Sequence, residues 1–182
     1  MSTLVPLHKP QITLDDLLRK LGNLKPVVPV FLVGIRGYYL DTMGKPGVND
    51  RGIYDDAIIL VSPTAYLTCN GNCDPSAFRA GIATLKPGVH WFKKGRHGLS
   101  KGPGKSYPAF RPDNAEEKLP VTRDGQPGDK WGIAINIHKG SRNSTSSEGC
   151  QTVFPDQWLA FQTLTYAEMD RHKQSRIPYV LL

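Results

Sequence analysis

The sequence predicts a mainly β domain with a few helices, an α+β fold, and three observations carry that expectation. The 182 residues include 18 Gly and 15 Pro, the punctuation of many turns and short strands. Apolar runs such as "VPVFLVGI" and "AIILV" have strand length and end in turn chemistry. Capped helical patterns occur only near the two ends of the chain. The length suits one domain, residues 1–182, with a core that needs neither disulfides nor metal.

In chain order, "ITLDDLLRKLG" opens on Thr13 as N-cap, places Asp15 and Asp16 at the positive helix end and stops at Gly22. This predicts a peripheral helix within residues 1–25. "VPVFLVGIRGYYL" and "YDDAIILVS" read as two strands separated by the loop "GKPGVNDRG". "CNGNCDPS" reads as a turn cluster, with Cys69 and Cys73 either a local disulfide or two free thiols. "AFRAGIATL" reads as a short helix or irregular chain, and "GVHWF" as a strand.

The stretch from Lys93 to Lys118 reads as a long loop that closes over a substrate or binds a polymer. "GIAINIH" alternates, with Ile133, Ile135 and Ile137 on one face and Ala134, Asn136 and His138 on the other. "QTVF" reads as a strand, residues 155–174 as the one long helix with Trp158, Phe161 and Leu164 on its apolar side, and "IPYVLL" as a last strand.

The longest apolar run, "PVVPVFLVGI", is too short to span a bilayer and contains Pro29. The N-terminus lacks a charged start, an apolar segment and a small-residue cleavage site. Synthesis in the cytoplasm, with release by other means, is therefore expected. The net charge of +7 favours a polyanionic partner and is densest in "HWFKKGRHGLSKGPGK". Nucleic acid, anionic lipid and bacterial wall polymers all meet that requirement. A monomer is the default.

The most informative stretch is "INIHKGSRNSTSSEGCQTV". It holds His138 and Cys150 twelve positions apart, separated almost wholly by small polar residues and glycine. A thiol becomes an acyl-transfer nucleophile when a base takes its proton and N–H groups await the oxyanion. His138 can serve as base, and Gly149 lets the chain turn tightly beside Cys150. Thr145, Ser146 and Ser147 can tie the loop together. The plain alternative is an inert buried cysteine and a polar strand end, but a cysteine among glycine and serine makes a poor core residue.

"IHKG" followed by "SSEGC" resembles the His-Gly and Ser-x-Gly-Cys signature of the L,D-transpeptidase catalytic domain, over roughly residues 130–153. A general likeness to phage endolysin-like proteins extends to "CDPS", "GVHWFKKGRHG" and "SYPAF". The resemblance implies a β-rich catalytic domain acting on bacterial peptidoglycan without cofactor or metal. It implies Cys150 as nucleophile, His138 as base, a backbone carbonyl near Lys139 orienting the imidazole, and the N–H groups of Gly149 and Cys150 as oxyanion hole. It also implies Ser147 as a loop stabiliser, with Lys139, Gly140 and Asn136 around the substrate.

This chain departs from the pattern. Lys139 is inserted before Gly140, the His-to-Cys loop is shorter, Glu148 stands where many members have a second His, and Thr152 where an Arg binds a carboxylate. Carboxylate binding then falls to Arg142 or Arg123. The absent leader and basic surface fit a lytic protein, released through a holin or secreted, so hydrolysis is favoured over cross-linking.

Three other readings compete. Cys69, Cys73, His90 and His97 form a loose zinc-like spacing, longer than that of a zinc finger. A non-enzymatic module binding nucleic acid or wall would use the basic loop with Trp91, Phe92 and Tyr107, and nucleic acid is the less favoured of its two ligands. A papain-like protease requires the opposite order of Cys and His. Asp55 and Asp56 read as turn carboxylates.

Overall fold

The structure, a computed structural model, describes residues 4–182, so residues 1–3 of the N-terminal region lie outside it. The elements are α1 (Leu14–Leu21), β1 (Phe31–Ile35), β2 (Asp56–Val61), β3 (Tyr66–Asn72), β4 (Ala83–Leu85), β5 (Gly88–His97), β6 (Tyr107–Pro112), β7 (Lys118–Arg123), β8 (Gln126–Ile133), β9 (Ile137–Lys139), β10 (Gln151–Val153), α2 (Pro155–Arg171) and β11 (Arg176–Leu181). Eight strands close a barrel in the order β1-β11-β5-β6-β9-β10-β3-β2, and β4-β7-β8 form a separate small sheet. The fold is mainly β with two α-helices.

Why β1 and β2 read as unbroken apolar runs is visible in their packing. One face of each contributes Leu32, Ile58 and Leu60 to the main core with Phe92, Phe110 and Tyr179. The other face, with Val33, Ile35, Ile59 and Val61, lies under Leu17 and Leu21 of α1. A strand covered on both sides has no solvent face to make polar. α1 is set by its caps: Thr13 Oγ1 accepts from Asp16 N at 3.1 Å, and Gly22 N–H closes on Leu18 O.

α2 begins with Pro155 and ends at Arg171, inside the expected 155–174. Trp158 and Phe161 meet Phe110 of β6 edge-on. Its buried side also carries polar groups. Glu168 accepts from Ser62 Oγ and Thr64 Oγ1, both at 2.5 Å, which lets a carboxylate sit against the barrel.

Several expectations are corrected. "CNGN" is not a turn but the end of β3, and Cys69 and Cys73 are free, buried thiols of the main core. Extended chain holds residues four apart too far from each other for a disulfide. "AFRAGIATL" forms no helix and ends in β4.

The supposed long loop from Lys93 is largely the β5–β6 hairpin, with Lys93 level with Arg111 and His97 with Tyr107. Its charges are partly answered, Lys94 by Asp170 at 2.5 Å and Arg111 by Glu117. Its aromatics are not an open stacking platform: Phe92 is buried in the core and Trp91 lies under Arg176 at 4.0 Å.

"GIAINIH" is two strands rather than one. Ala134 takes a φ of 54°, breaking the ladder between β8 in the small sheet and β9 in the barrel. Ile133 is consequently 65% exposed while Ile135 is 4% exposed.

Among the described residues, no helix is long and apolar enough to cross a membrane.

The contact of α1 with β1 and β2 yields a test. Leu17→Ala deletes a side chain that is 0% exposed, and urea unfolding should show a loss of roughly 2–5 kcal/mol. Leu14→Ala, at a position 36% exposed, should cost much less.

Candidate active site

β9 and β10 are parallel, with Gln151 level with Ile137 and Thr152 level with His138. Cys150, just before β10, therefore comes beside Asn136, whose N–H points at Cys150 Sγ from 3.4 Å. The thiol in turn faces Ala134 O at 3.7 Å. Residues 140–150 are the crossover between the parallel strands, and polar contacts fix its path. Tyr54 Oη accepts from Ser141 N at 2.9 Å, Ser147 N donates to Ser76 Oγ at 2.8 Å, and Ser76 Oγ meets Thr145 Oγ1 at 2.6 Å.

Ser147 makes the turn at the cysteine. Its hydroxyl donates to Cys150 O at 2.7 Å and accepts from Gly149 N at 3.0 Å. Gly149 has a φ of +123°, and a Cβ there would lie 2.6 Å from Ala83 O, so only glycine fits. Because Ser147 already takes the Gly149 N–H, the expected oxyanion pair is reduced. Cys150 N–H has no partner among the described residues and remains available.

His138 is buried. Its Nδ1 lies 2.7 Å from Lys139 O, which fixes Nδ1 as the protonated nitrogen and leaves Nε2 with the lone pair. Tyr107 Oη donates to the same carbonyl at 3.2 Å and lies 3.1 Å from His138 Nδ1. His97, at the end of β5, stacks on His138 with ring centroids 3.8 Å apart and planes 14° apart. One ring nitrogen of each histidine and Cys150 Sγ lie within 4.8 Å of one another.

Burial, helped by the neighbouring His97, pushes the His138 pKa down to about 3. Cys150 borders the cavity, yet the protein packed around its sulfur pushes the thiol up to about 11. At neutral pH the pair thus rests as thiol and neutral imidazole.

The site opens into a cavity of about 680 Å³. Ile82, Ile133 and Ile135 form an apolar wall, Ser144 and Ser146 a polar one, and Arg79 and Lys101 supply positive charge. Arg79 is shared with Glu148 at 3.0 Å.

The other sequence-derived candidates fall differently. Gly140 lies outside the cavity lining and packs on Tyr54, whose Oη would lie 2.0 Å from a Cβ. Asn136 is buried and directs its amide to His97 Nδ1 at 3.1 Å. Lys139 contributes its carbonyl, with its ammonium 5.2 Å from the Tyr107 ring.

Neither Arg142 nor Arg123 lines the cavity. Arg142 pairs with Asp156, and Arg123 donates to Gly81 O and Trp131 O at 2.7 and 3.0 Å; the cations that line the cavity are Arg79 and Lys101. The proposed zinc spacing also dissolves: His90 bonds Lys86 O at 2.8 Å, while His97 joins His138 and Cys150. Sequence reasoning missed His97, Tyr107, Lys101 and Ser76 as members of this site; the sequence singles out His97 only in the loose zinc-like spacing and Tyr107 only as an aromatic of the basic loop.

Comparison with protein-family models, with curated proteins and with solved structures finds no match.

Burial of a neutral His138 makes stability depend on pH. Its folded pKa lies below the ordinary 6.5, so its contribution is complete above about 6.5 and lost as pH falls toward about 3. The limit is about 1.4 kcal/mol per pH unit. Burial lowers His90 and His97 as well, while it raises Asp55 and Asp56, which act with the opposite sign. Urea unfolding of wild type and His138→Gln between pH 7 and about 4 isolates the term: the variant should lose less stability on acidification.

Proposed function

We propose that this protein is a cysteine-dependent acyl-transfer enzyme of bacterial peptidoglycan that cleaves stem peptides at the carbonyl of the third residue. The observation that carries the reading is the meeting of Cys150 and His138 in the lining of one open cavity, with the Lys139 carbonyl orienting the imidazole. The bond and substrate rest on the resemblance of "IHKG" and "SSEGC" to the L,D-transpeptidase signature.

In this reading the Cys150 thiol turns from Ala134 O toward His138 Nε2. The imidazole takes the proton as sulfur attacks the substrate carbonyl carbon. Because both groups start neutral, proton transfer accompanies attack. Cys150 N–H stabilises the oxyanion, and Lys139 O stabilises the imidazolium through Nδ1–H. His138 then protonates the leaving D-alanine amine, and a thioester to the third residue remains. Water, deprotonated by His138, attacks the thioester and releases a tripeptide carboxylate and the thiol.

Lys101 and Arg79 suit carboxylates on the stem peptide, and the isoleucine wall suits its methylene groups. Hydrolysis is preferred to cross-linking, with access to the wall through holin-type release or secretion.

Mass spectrometry of muropeptides from diaminopimelate-type sacculi tests the proposal. Wild type should generate tripeptide ends and free D-alanine, Cys150→Ala none, and His138→Gln a rate lower by about 10²–10⁴-fold. Cross-linked dimers outpacing free D-alanine would reverse the hydrolytic preference. An unchanged profile with wild type would remove the enzymatic reading.

A further inference from the structure

We propose that Cys150, His138 and His97 bind one Zn²⁺ ion and that this ion reversibly blocks the nucleophile. Binding depends on side-chain geometry alone; the blocking half rests on the function proposed above.

The three donors come from three separate parts of the chain: the end of β5, β9 and the crossover before β10. Their ligand atoms lie within 4.8 Å of one another. Around tetrahedral zinc, with Zn–S about 2.3 Å and Zn–N about 2.0–2.1 Å, neighbouring donor atoms are roughly 3.5 Å apart. Side-chain adjustments of about an ångström therefore suffice. A thiolate with two imidazoles suits zinc rather than magnesium or calcium, which take oxygen donors.

The surroundings of both rings match those of metal-bound histidines, which donate their second N–H to a carbonyl or other acceptor. His138 already does so through Nδ1 and Lys139 O at 2.7 Å. For His97 the acceptor is at hand in Asn136. Its Nδ2 faces His97 Nδ1 at 3.1 Å, while its Oδ1 is buried without a partner. Exchanging the near-isosteric amide oxygen and nitrogen lets Oδ1 accept from a protonated Nδ1. That satisfies the orphaned oxygen and leaves His97 Nε2 as a free lone pair. The two nearly parallel rings, 3.8 Å apart, then need only splay to converge on one ion.

Binding replaces the S–H bond with a Zn–S bond and releases one proton to solvent, with no change of oxidation state. The fourth coordination position faces the cavity, where water completes the tetrahedron. The ion occupies both the Cys150 sulfur and the His138 Nε2, the two lone pairs that acyl transfer requires.

Titration of metal-free protein with Co²⁺, followed by displacement with Zn²⁺, tests the binding half. One equivalent per chain should give tetrahedral d–d bands and a thiolate-to-metal charge-transfer band. Cys150→Ser should abolish the charge-transfer band. His97→Gln should lower affinity at least tenfold, and Asn136→Ala by about 10–100-fold, as for other groups that orient a metal ligand.

A wild-type measurement guards against misfolded variants: Zn²⁺ should slow alkylation of Cys150, mapped by peptide mass spectrometry, at least tenfold in native buffer but not in urea. No charge-transfer band, a band that survives Cys150→Ser, unchanged affinity in His97→Gln or unprotected Cys150 would each overturn the proposal. Sacculus cleavage that zinc stops and chelator restores would support the blocking half. Metal binding by a protein that never cleaves sacculi would sink the enzymatic reading and the blocking half while leaving the site; cleavage indifferent to bound zinc would sink the blocking half alone.

Discussion

The parallel pairing of β9 with β10 is the constraint from which the site follows. Parallel neighbours cannot be joined by a tight hairpin, so the chain must leave the barrel after Lys139, cross over and re-enter at Gln151. Here the crossover forms no helix and its backbone groups need other partners. Small polar side chains meet part of that need, the hydroxyls of Ser141, Ser144 and Ser147 accepting from Asn143 N, Ser146 N and Gly149 N, while Tyr54 Oη serves the Ser141 and Ser144 carbonyls and Ser76 Oγ the Ser147 N–H. The unusual composition between His138 and Cys150 is thus the composition of a crossover built from side-chain hydrogen bonds. Register then sets Cys150 beside Asn136, one strand away from the residues preceding His138.

That enclosure determines the electrical state of the pair. A thiolate–imidazolium pair must overcome desolvation of both ions, and the Asn136 N–H with the charges of Arg111 and Lys101 offsets only part of it at this sulfur. Burial raises the thiol and lowers the imidazole instead. The stacked His97 adds a further reason for His138 to remain neutral, since two adjacent imidazolium rings would repel. The resting cysteine is therefore a shielded thiol beside an imidazole already aligned by Lys139 O, which in the proposed reading is the base on which its reactivity depends.

Legibility in the sequence followed the range of the interactions. α1 could be read because each of its caps closes within three or four residues, Thr13 on Asp16 and Gly22 on Leu18, and β1 and β2 because apolar cover on both faces leaves an unbroken run. β3 could not, because "NGN" looks like turn chemistry. Gly71 is there since a Cβ would lie 2.6 Å from Ile58 Cγ1 on the neighbouring strand, a reason that exists only after folding.

The small sheet β4-β7-β8 escaped notice because much of β8 is exposed and carries no buried face to pattern. At the site, His138 and Cys150 were legible as a spaced pair within one short stretch. His97 and Tyr107 were not: they arrive through the β5–β6 hairpin, and their proximity to His138 is a product of barrel closure.

The barrel closes by placing β1 between β2 and β11, with Leu32 level with Tyr179 in the parallel pairing. Tyr179 comes so near that a side chain at Gly34 would strike its hydroxyl. The same hydroxyl reaches Gln151 Oε1 at 3.0 Å, just after the cysteine. An early strand and the strand that supports the site thus both depend on β11, so the backing of the Cys150 turn is complete only when residues 176–181 have inserted between β1 and β5.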